Sequence, residues 1–506
     1  MTRSAPLLVV LCLQAVLLFS AISLLPVWSD ELSTMHTEAR PVAAIITRVE
    51  GDIHPPLYFI LLHYWIKFPL AGNGIAAMRA FSAAWALLAT LLLDLLWTRS
   101  WPPLPRWRAL SLFALSPCLL LYGRMGRSYT MQMALTMVAL AMLQRWMSQR
   151  RSLPFAAASF VALLALLYTH YAPGLAVLGG FALAGWMCTG TVRAATFVLA
   201  VMIGYAPWAL ALLRALNRWV HDRGYSATYM ISGTPFVEQV VRMGYALVSL
   251  TIGESFLAVS LVLVPVVALL AVAGARKSTL PRPFRMLLAI ACAIGYLGVA
   301  RWVSYPFVPA RLLWLLPLLS LTAALGISQI ERTAIRWGVT TAIAFSYATS
   351  YAMYFRQENF LNLGYVAPIP QIAAMLNREA QPHDLIVLDM YDTDFQAISG
   401  QLSGRTPVAA PYAGDVPDLR APVHAAPTVW IVRNTRDISP GQAITRLQSE
   451  ACAGRAKRDF YLDPYASWER TAMAMLQHRP APAFFYQITV CGQAAERPLT
   501  LQAPSR

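Results

Sequence analysis

The sequence predicts an α-helical polytopic membrane protein of about 11 transmembrane helices, with interfacial helices in the first external loop and a small C-terminal extracytoplasmic α/β domain. Three observations predict it. The 506-residue chain is 58% hydrophobic and only 13% charged, whereas soluble domains run near ~45–50% apolar and ~25% charged. Apolar runs of membrane-spanning length recur up to residue 354, separated by short basic loops. Beyond residue 356 the pattern changes to short apolar runs bounded by polar residues.

The elements follow in order from two rules. A span needs about 20 apolar residues, and basic loops stay in the cytoplasm. Residues 6–27 form the first span. The run is too long for a secretory signal core and lacks a small-residue cleavage site, so it reads as retained. Residues 28–76 then lie outside. Within them, 56–70 is apolar but short and interrupted by His63 and Lys67. If it crossed the bilayer, Arg99, Arg106 and Arg108 would fall on the external side, so it reads as an interfacial helix. Further spans fall at 78–97, 108–122, 129–146, 153–168, 172–189, 195–213, 254–274, 286–300, 312–329 and 337–354, with a second interfacial helix at 236–251. The N-terminus is then inside and the C-terminus outside. The domain boundary falls at 355, giving a transmembrane domain over 1–355 and an α/β domain over 356–506. In the latter, 384–389, 428–432 and 485–490 read as strands, and 371–380 and 441–451 as helices. Cys452 and Cys491 can pair if this region meets an oxidising compartment.

The net charge of +16 does not point to nucleic acid, because basic loops are ordinary in a polytopic chain. There is no Walker motif, nucleotide-type glycine loop or Cys/His metal spacing, which argues against an ATP-driven pump. The informative charges are those on the outer side. Arg79, Arg124, Arg127, Arg214, Arg218, Arg223, Arg301 and Arg311 map to the outer mouth of the bundle, with Lys67 beside them. Arginine's planar fork suits a phosphate at headgroup level; the bland alternative is snorkelling to lipid phosphates. Asp30 and Glu31 leave the first span together, near Asp52 and His54. Such carboxylates serve as a general base for a hydroxyl, bind a divalent cation, or merely cap a helix. His54 precedes Pro55-Pro56, so its backbone is restricted to extended forms. His170 is equally readable as an interface-belt residue.

Five motifs occur in order: Asp30-Glu31, Asp52-Ile-His-Pro-Pro-Leu-Tyr58, Arg127-Ser-Tyr129, Thr169-His-Tyr171 and Pro309-Ala-Arg-Leu-Leu-Trp-Leu-Leu-Pro317. Over residues 1–355 the chain resembles the polytopic lipid-linked-sugar glycosyltransferases of the GT-C superfamily, the protein mannosyltransferase, aminoarabinose transferase and galacturonosyltransferase-like group. The resemblance implies transfer of a sugar from a polyprenyl phosphate to a glycan, glycolipid, lipopolysaccharide or protein acceptor, usually with inversion. It implies a multi-pass protein of the bacterial inner membrane, with active site and C-terminus periplasmic. By the same resemblance Asp30 is the general base and Glu31 its support. Arg127 and Arg311 hold the donor phosphate, with Tyr129, His54 and Lys67 near it; Arg124, Asp52, His170 and Arg301 complete the candidate donor-binding set. Where some relatives carry Glu-Lys-Pro-Pro, this chain has Ile53-His-Pro-Pro. A divalent cation would therefore need Glu50 or Asp52, and no metal ligand is assigned. The alternative reading is a transporter or flippase for an anionic lipid, although no internal repeat supports it.

Overall fold

The computed structural model describes residues 5–51, 54–68, 74–149, 152–222, 235–301, 308–366, 368–390, 392–404, 408–410, 419–434, 442–462, 471 and 486–498. Contacts divide the chain into two compact units. One comprises Met1–Leu24 and Ser33–Leu361, the other Leu25–Leu32 and Asn362–Arg506.

The first unit is helical. It opens with α1 (Ala5–Phe19), α2 (Ser29–Glu38), α3 (Val42–Gly51), α4 (Leu57–Ile66) and α5 (Gly74–Leu93), with a wide π turn at Asp94–Thr98. The first turn of α2 groups with the second unit. Next come α6 (Pro103–Ala114), α7 (Pro117–Gly123), α8 (Tyr129–Ser148), α9 (Leu153–Thr169), α10 (Tyr171–Ala184), α11 (Trp186–Thr189) and α12 (Thr191–Asp222). Then follow α13 (Phe236–Ile252), α14 (Leu263–Arg276), α15 (Arg282–Arg301), α16 (Leu316–Ser328) and α17 (Thr333–Arg356).

Among the described residues, five helical stretches are long and apolar enough to cross a membrane: Gly74–Thr98, Thr191–Ala215, Ala258–Arg276, Arg282–Arg301 and Pro309–Ser328. The other expected spans are shorter or less apolar, for identifiable reasons. The 108–122 run is broken before Pro117, which cannot continue a helix from α6 without losing a backbone hydrogen bond. The first span stops at Phe19 rather than 27, where Ala21 turns to a left-handed backbone with φ 48° and Pro26 follows. Residues expected to be one interfacial helix form α4, preceded by two helices, α2 and α3, that the hydrophobic pattern did not reveal.

Apolar side chains pack the bundle's interior, centred on Leu140, Leu163, Phe181, Trp146 and Phe197. Polar groups lock particular helix pairs. The Gln14 amide donates to the Ala86 carbonyl and accepts from Thr90 Oγ1 at 2.7 Å, tying α1 to α5. Arg106 grips Asp94 with two bonds of 2.6 and 2.7 Å, closing the π turn against α6. Such two-pronged pairs are geometrically specific, and leaving either charge alone in the interior is costly. The α14–α16 crossing depends on small residues. A methyl group at Gly274 would overlap the Thr322 carbonyl, and one at Gly326 would overlap that of Leu270. Close backbone approach of this kind is how helices associate in lipid, where no hydrophobic force drives them together.

The second unit holds a five-stranded sheet. Strands β1 (Leu385–Asp389), β2 (Val408–Ala410), β3 (Thr428–Asn434), β4 (Lys457–Leu462) and β5 (Tyr486–Gly492) lie in the order β2-β1-β3-β5-β4. β1 pairs in parallel with β2 and β3, whereas β5 runs antiparallel to β3 and β4. Helix α18 (Ile369–Glu379) supplies Ile372 and Leu376 to one face, with Trp430 and Ile488. Helices α20 (Arg420–Ala425) and α21 (Gln442–Cys452) cover the other through Val423, Leu447 and Ala451, with Val429 and Ile431. A short α19 (Asp392–Ser399) lies between β1 and β2. The three central strands and the two longer helices match the sequence expectation. β2 and β4 escaped it: β2 is very short, and β4, an edge strand, alternates weakly. Cys452 and Cys491 form a disulfide linking the end of α21 to β5.

Two measurements check these packing arguments. Gly326→Ala should destabilise the detergent-solubilised protein by roughly 1–3 kcal/mol, as overpacked cores do, read as a lower melting temperature. Non-reducing peptide mapping should recover the Cys452 and Cys491 peptides joined. Removing the bridge should cost the second unit roughly 2–4 kcal/mol.

Candidate active site

The site is built from connections between helices. Arg127 lies in the loop between α7 and α8 and is almost fully buried. Its backbone is held from behind. Ser82 Oγ donates to the Arg127 carbonyl at 3.1 Å, and Thr130 Oγ1 donates to the Ser82 carbonyl at 2.8 Å. The Tyr58 hydroxyl, 3.2 Å from Ser82 Oγ, supplies the proton to that oxygen. Three elements (α4, α5 and α8) thus fix where the guanidinium starts. Its head donates to Thr34 Oγ1 on α2 and to His54 Nε2, both at 2.9 Å. An arginine can only donate, so His54 accepts at Nε2 and carries its own proton on Nδ1. His54 packs edge-on against Phe59, and the prolines after it limit its backbone.

Two further groups belong here. His170 separates α9 from α10 and caps the latter, its Nδ1 accepting from the Ala172 N–H at 3.3 Å. Burial, followed by the charges of Arg311, His54 and Arg127, pushes the His170 pKa down to about 3. The imidazole is therefore neutral near neutral pH. The same effect places Arg311, His54 and Arg127 within electrostatic reach of one ring. Arg311 sits on the 3-10 turn Pro309–Leu315. Gln132 Nε2 on α8 donates to the Ala310 carbonyl at 3.2 Å, fixing that turn. The outcome is a gathering of two guanidinium groups and two imidazoles. Its chemical affinity is for an anion that accepts several hydrogen bonds.

The remaining candidates lie as follows. Tyr129 opens α8, buried, with its ring 6.1 Å from that of Tyr122. Arg301 is the half-buried last residue of α15. Lys67 is exposed at the end of α4, its Nζ 5.8 Å from the centre of the Tyr64 ring. Arg124 is placed differently from the expectation of a phosphate-facing group. It donates to the carbonyls of Leu17 and Ala21 and lies over the Tyr354 and Phe355 rings. There it caps the C-terminal end of α1, whose last carbonyls have no helical partners. Arg79 does similar work on the Ile22 carbonyl. Asp52 lies outside the described residues. Among the described residues, no three His, Cys, Asp or Glu side chains converge as a metal site requires.

Asp30 and Glu31 occupy the first turn of α2. Glu31 is buried, and its carboxylate accepts from the Trp28 N–H at 3.1 Å. This is half of a capping box, in which the third helical residue reaches back to the cap. Asp30 is half-buried. Trp28 itself packs edge-on against Tyr365, 6.0 Å away. Sequence reasoning missed Thr34, Ser82 and Gln132. The usable signal was a polar side chain on an otherwise apolar helix or one turn beyond a charged motif.

No protein-family model matches the chain, and no curated protein matches it. Solved structures do. The crystal structure of ArnT from Cupriavidus metallidurans in the apo state superposes with a TM-score of 0.53, covering 96% of this chain and 98% of that one at 11% identity. The structure of the same protein bound to undecaprenyl phosphate gives 0.50, with 97% and 99% coverage at 12% identity. The chain shares the backbone fold of that protein. At this identity the likeness concerns the path of the backbone, over nearly the whole length of both chains.

Acidification tests the environment of His170. A histidine whose folded pKa lies below its unfolded value of 6.5 resists protonation only in the folded state. Stability is therefore lost as pH falls below 6.5. At pH 5 the loss from this group is at most about 2 kcal/mol relative to pH 7. His170→Asn should flatten the melting-temperature profile over that range.

Proposed function

We propose that the chain is an integral membrane glycosyltransferase that moves a sugar from a polyprenyl-phosphate donor to an extracytoplasmic acceptor: a glycolipid, a lipopolysaccharide or a protein. The observation that carries the proposal is the convergence of Arg127, Arg311 and His54 on a neutral His170. The fold adds weight, because a protein of the same architecture has been solved with undecaprenyl phosphate. The disulfide between Cys452 and Cys491 favours an oxidising compartment for the second unit, here the periplasm of a bacterial inner-membrane protein.

In this reading Arg127 and Arg311 bind the donor phosphate, and His54, His170 and Tyr129 border it. The acceptor hydroxyl attacks the anomeric carbon from the face opposite the phosphate. A carbon–oxygen bond forms, the bond to the phosphate oxygen breaks, and its electron pair stays on the phosphate. Fixed guanidinium donors stabilise the charge that develops there. Asp30 takes the proton of the incoming hydroxyl. Glu31, whose carboxylate accepts from the Trp28 N–H, supports it. The site groups come from connections between helices rather than from helix midpoints, which disfavours a transport path across the bilayer.

The test uses protein in vesicles with polyprenyl-phosphate sugar and an envelope lipid acceptor fraction. Asp30→Asn should reduce transfer by about 10²-fold or more, on the scale of a lost general base, while donor binding persists. Arg127→Gln should weaken binding of the polyprenyl phosphate itself. Near wild-type transfer by a folded Asp30→Asn protein would remove the base assignment. Unchanged donor binding in the Arg127→Gln, Arg311→Gln double variant would remove the site.

A further inference from the structure

A second place in the helical unit is built to meet an anion, and the proposed transfer reaction does not use it. Helices α6, α16 and α17 enclose a groove of about 360 Å³. Its wall is apolar, including Leu112, Ile343 and Ala344. The two tyrosines that line it do not make it polar, because Tyr347 and Tyr351 spend their hydroxyls on the Leu112 and Leu115 carbonyls. Arg108 stands at one end. It is more than nine-tenths buried, and among the described residues only its Nη1 finds a hydrogen-bond partner, Ser328 Oγ at 3.4 Å. Among the described residues, Nε and Nη2 of Arg108 have no hydrogen-bond acceptor, nor does Nε of Arg336. The Arg336 charge bears directly on Arg108. Trp337, half exposed, lies 6.0 Å from the Arg108 guanidinium.

Buried donors without acceptors are costly, and two like charges side by side compound the cost. An acceptor-rich anion would satisfy both. The groove beside them would take an apolar tail. Position decides which leaflet supplies it. The α6–α7 segment and α17 run together along the bundle. At one end Arg124 lies over Tyr354, and at the other Arg108 lies over Trp337. Trp337 and Tyr354 both lie on the unbroken helix α17, about 25 Å apart at 1.5 Å per residue, so the Arg108 end of the groove meets the leaflet opposite the Arg127 site. This is the side on which the basic loops place the cytoplasm.

We propose that this groove binds an anionic glycerophospholipid of the cytoplasmic leaflet, its phosphate between Arg108 and Arg336 and one acyl chain along α17. Tryptophan at the headgroup level and arginine on the phosphate are the side chains such a lipid would meet. The occupant differs from the glycosyl donor in leaflet and in headgroup.

The test is native mass spectrometry of the full-length protein in mild detergent with added phosphatidylglycerol, or with phosphatidylcholine of the same chains. Wild-type protein should retain phosphatidylglycerol in preference to phosphatidylcholine by roughly tenfold or more, because the choline cation cancels the net negative charge that the two arginines attract, each worth about 1 kcal/mol toward an anionic lipid. Arg108→Gln with Arg336→Gln should abolish the preference. Ala344→Trp, which fills the groove from the lipid side and leaves the arginines in place, should displace the lipid; melting temperature reports folding of each variant. Equal retention of the two lipids by wild type would overturn the proposal. So would undiminished phosphatidylglycerol binding in folded Ala344→Trp, or occupancy of the groove by undecaprenyl phosphate in preference to phosphatidylglycerol.

Discussion

The Arg127 guanidinium must be held in place inside a bundle that offers little water. A charged side chain at such depth is costly unless its donors find acceptors. The chain meets that requirement from several directions. Thr34 and His54 take the head, and the Ser82 hydroxyl fixes the backbone behind it. Those partners come from α2, the approach to α4, and α5. Folding the segment between α1 and α5 back onto the bundle and bringing these groups together are therefore one event.

The same need explains how the other arginines are divided. Arg124 and Arg79 lie close by in sequence or space, yet they serve the end of the first helix. A helix that stops at Phe19 leaves carbonyls unpaired in an apolar setting, and cations are the natural caps. Arg106 is consumed by Asp94. Arg127 bonds His54, and the charges of both Arg127 and Arg311 reach the His170 imidazole. That arrangement concentrates positive charge while keeping His170 neutral, so the ring remains able to act as a hydrogen-bonding partner without adding to the repulsion.

Much of the fold was legible beforehand. Most apolar helical runs of the first unit and strands β1, β3 and β5 follow from hydrophobic periodicity and length. The missed elements share a cause. α2 and α3 have too few apolar residues to announce a buried face, and β2 and β4 lie at sheet edges where alternation is weak. The first helix ended early because a left-handed turn at Ala21 is a backbone event with no glycine to mark it. Within the site, Arg127, His54, His170 and Arg311 stood out as charged or titratable groups in otherwise apolar surroundings. Thr34, Ser82 and Gln132 did not, because a hydroxyl or amide in a helix is common and becomes informative only when its partner is known.

Sequence alone thus determined that the chain is a membrane protein, where most of its apolar helical runs fall, and which charged residues stand out beside those runs. These follow from local properties: span length, apolar fraction and the cost of charge in lipid. Tertiary structure decided which arginines cap backbone and which stand together, because residues 34, 54, 127, 170 and 311 become neighbours only when several helices pack, and hydrogen-bond geometry has no counterpart in linear spacing.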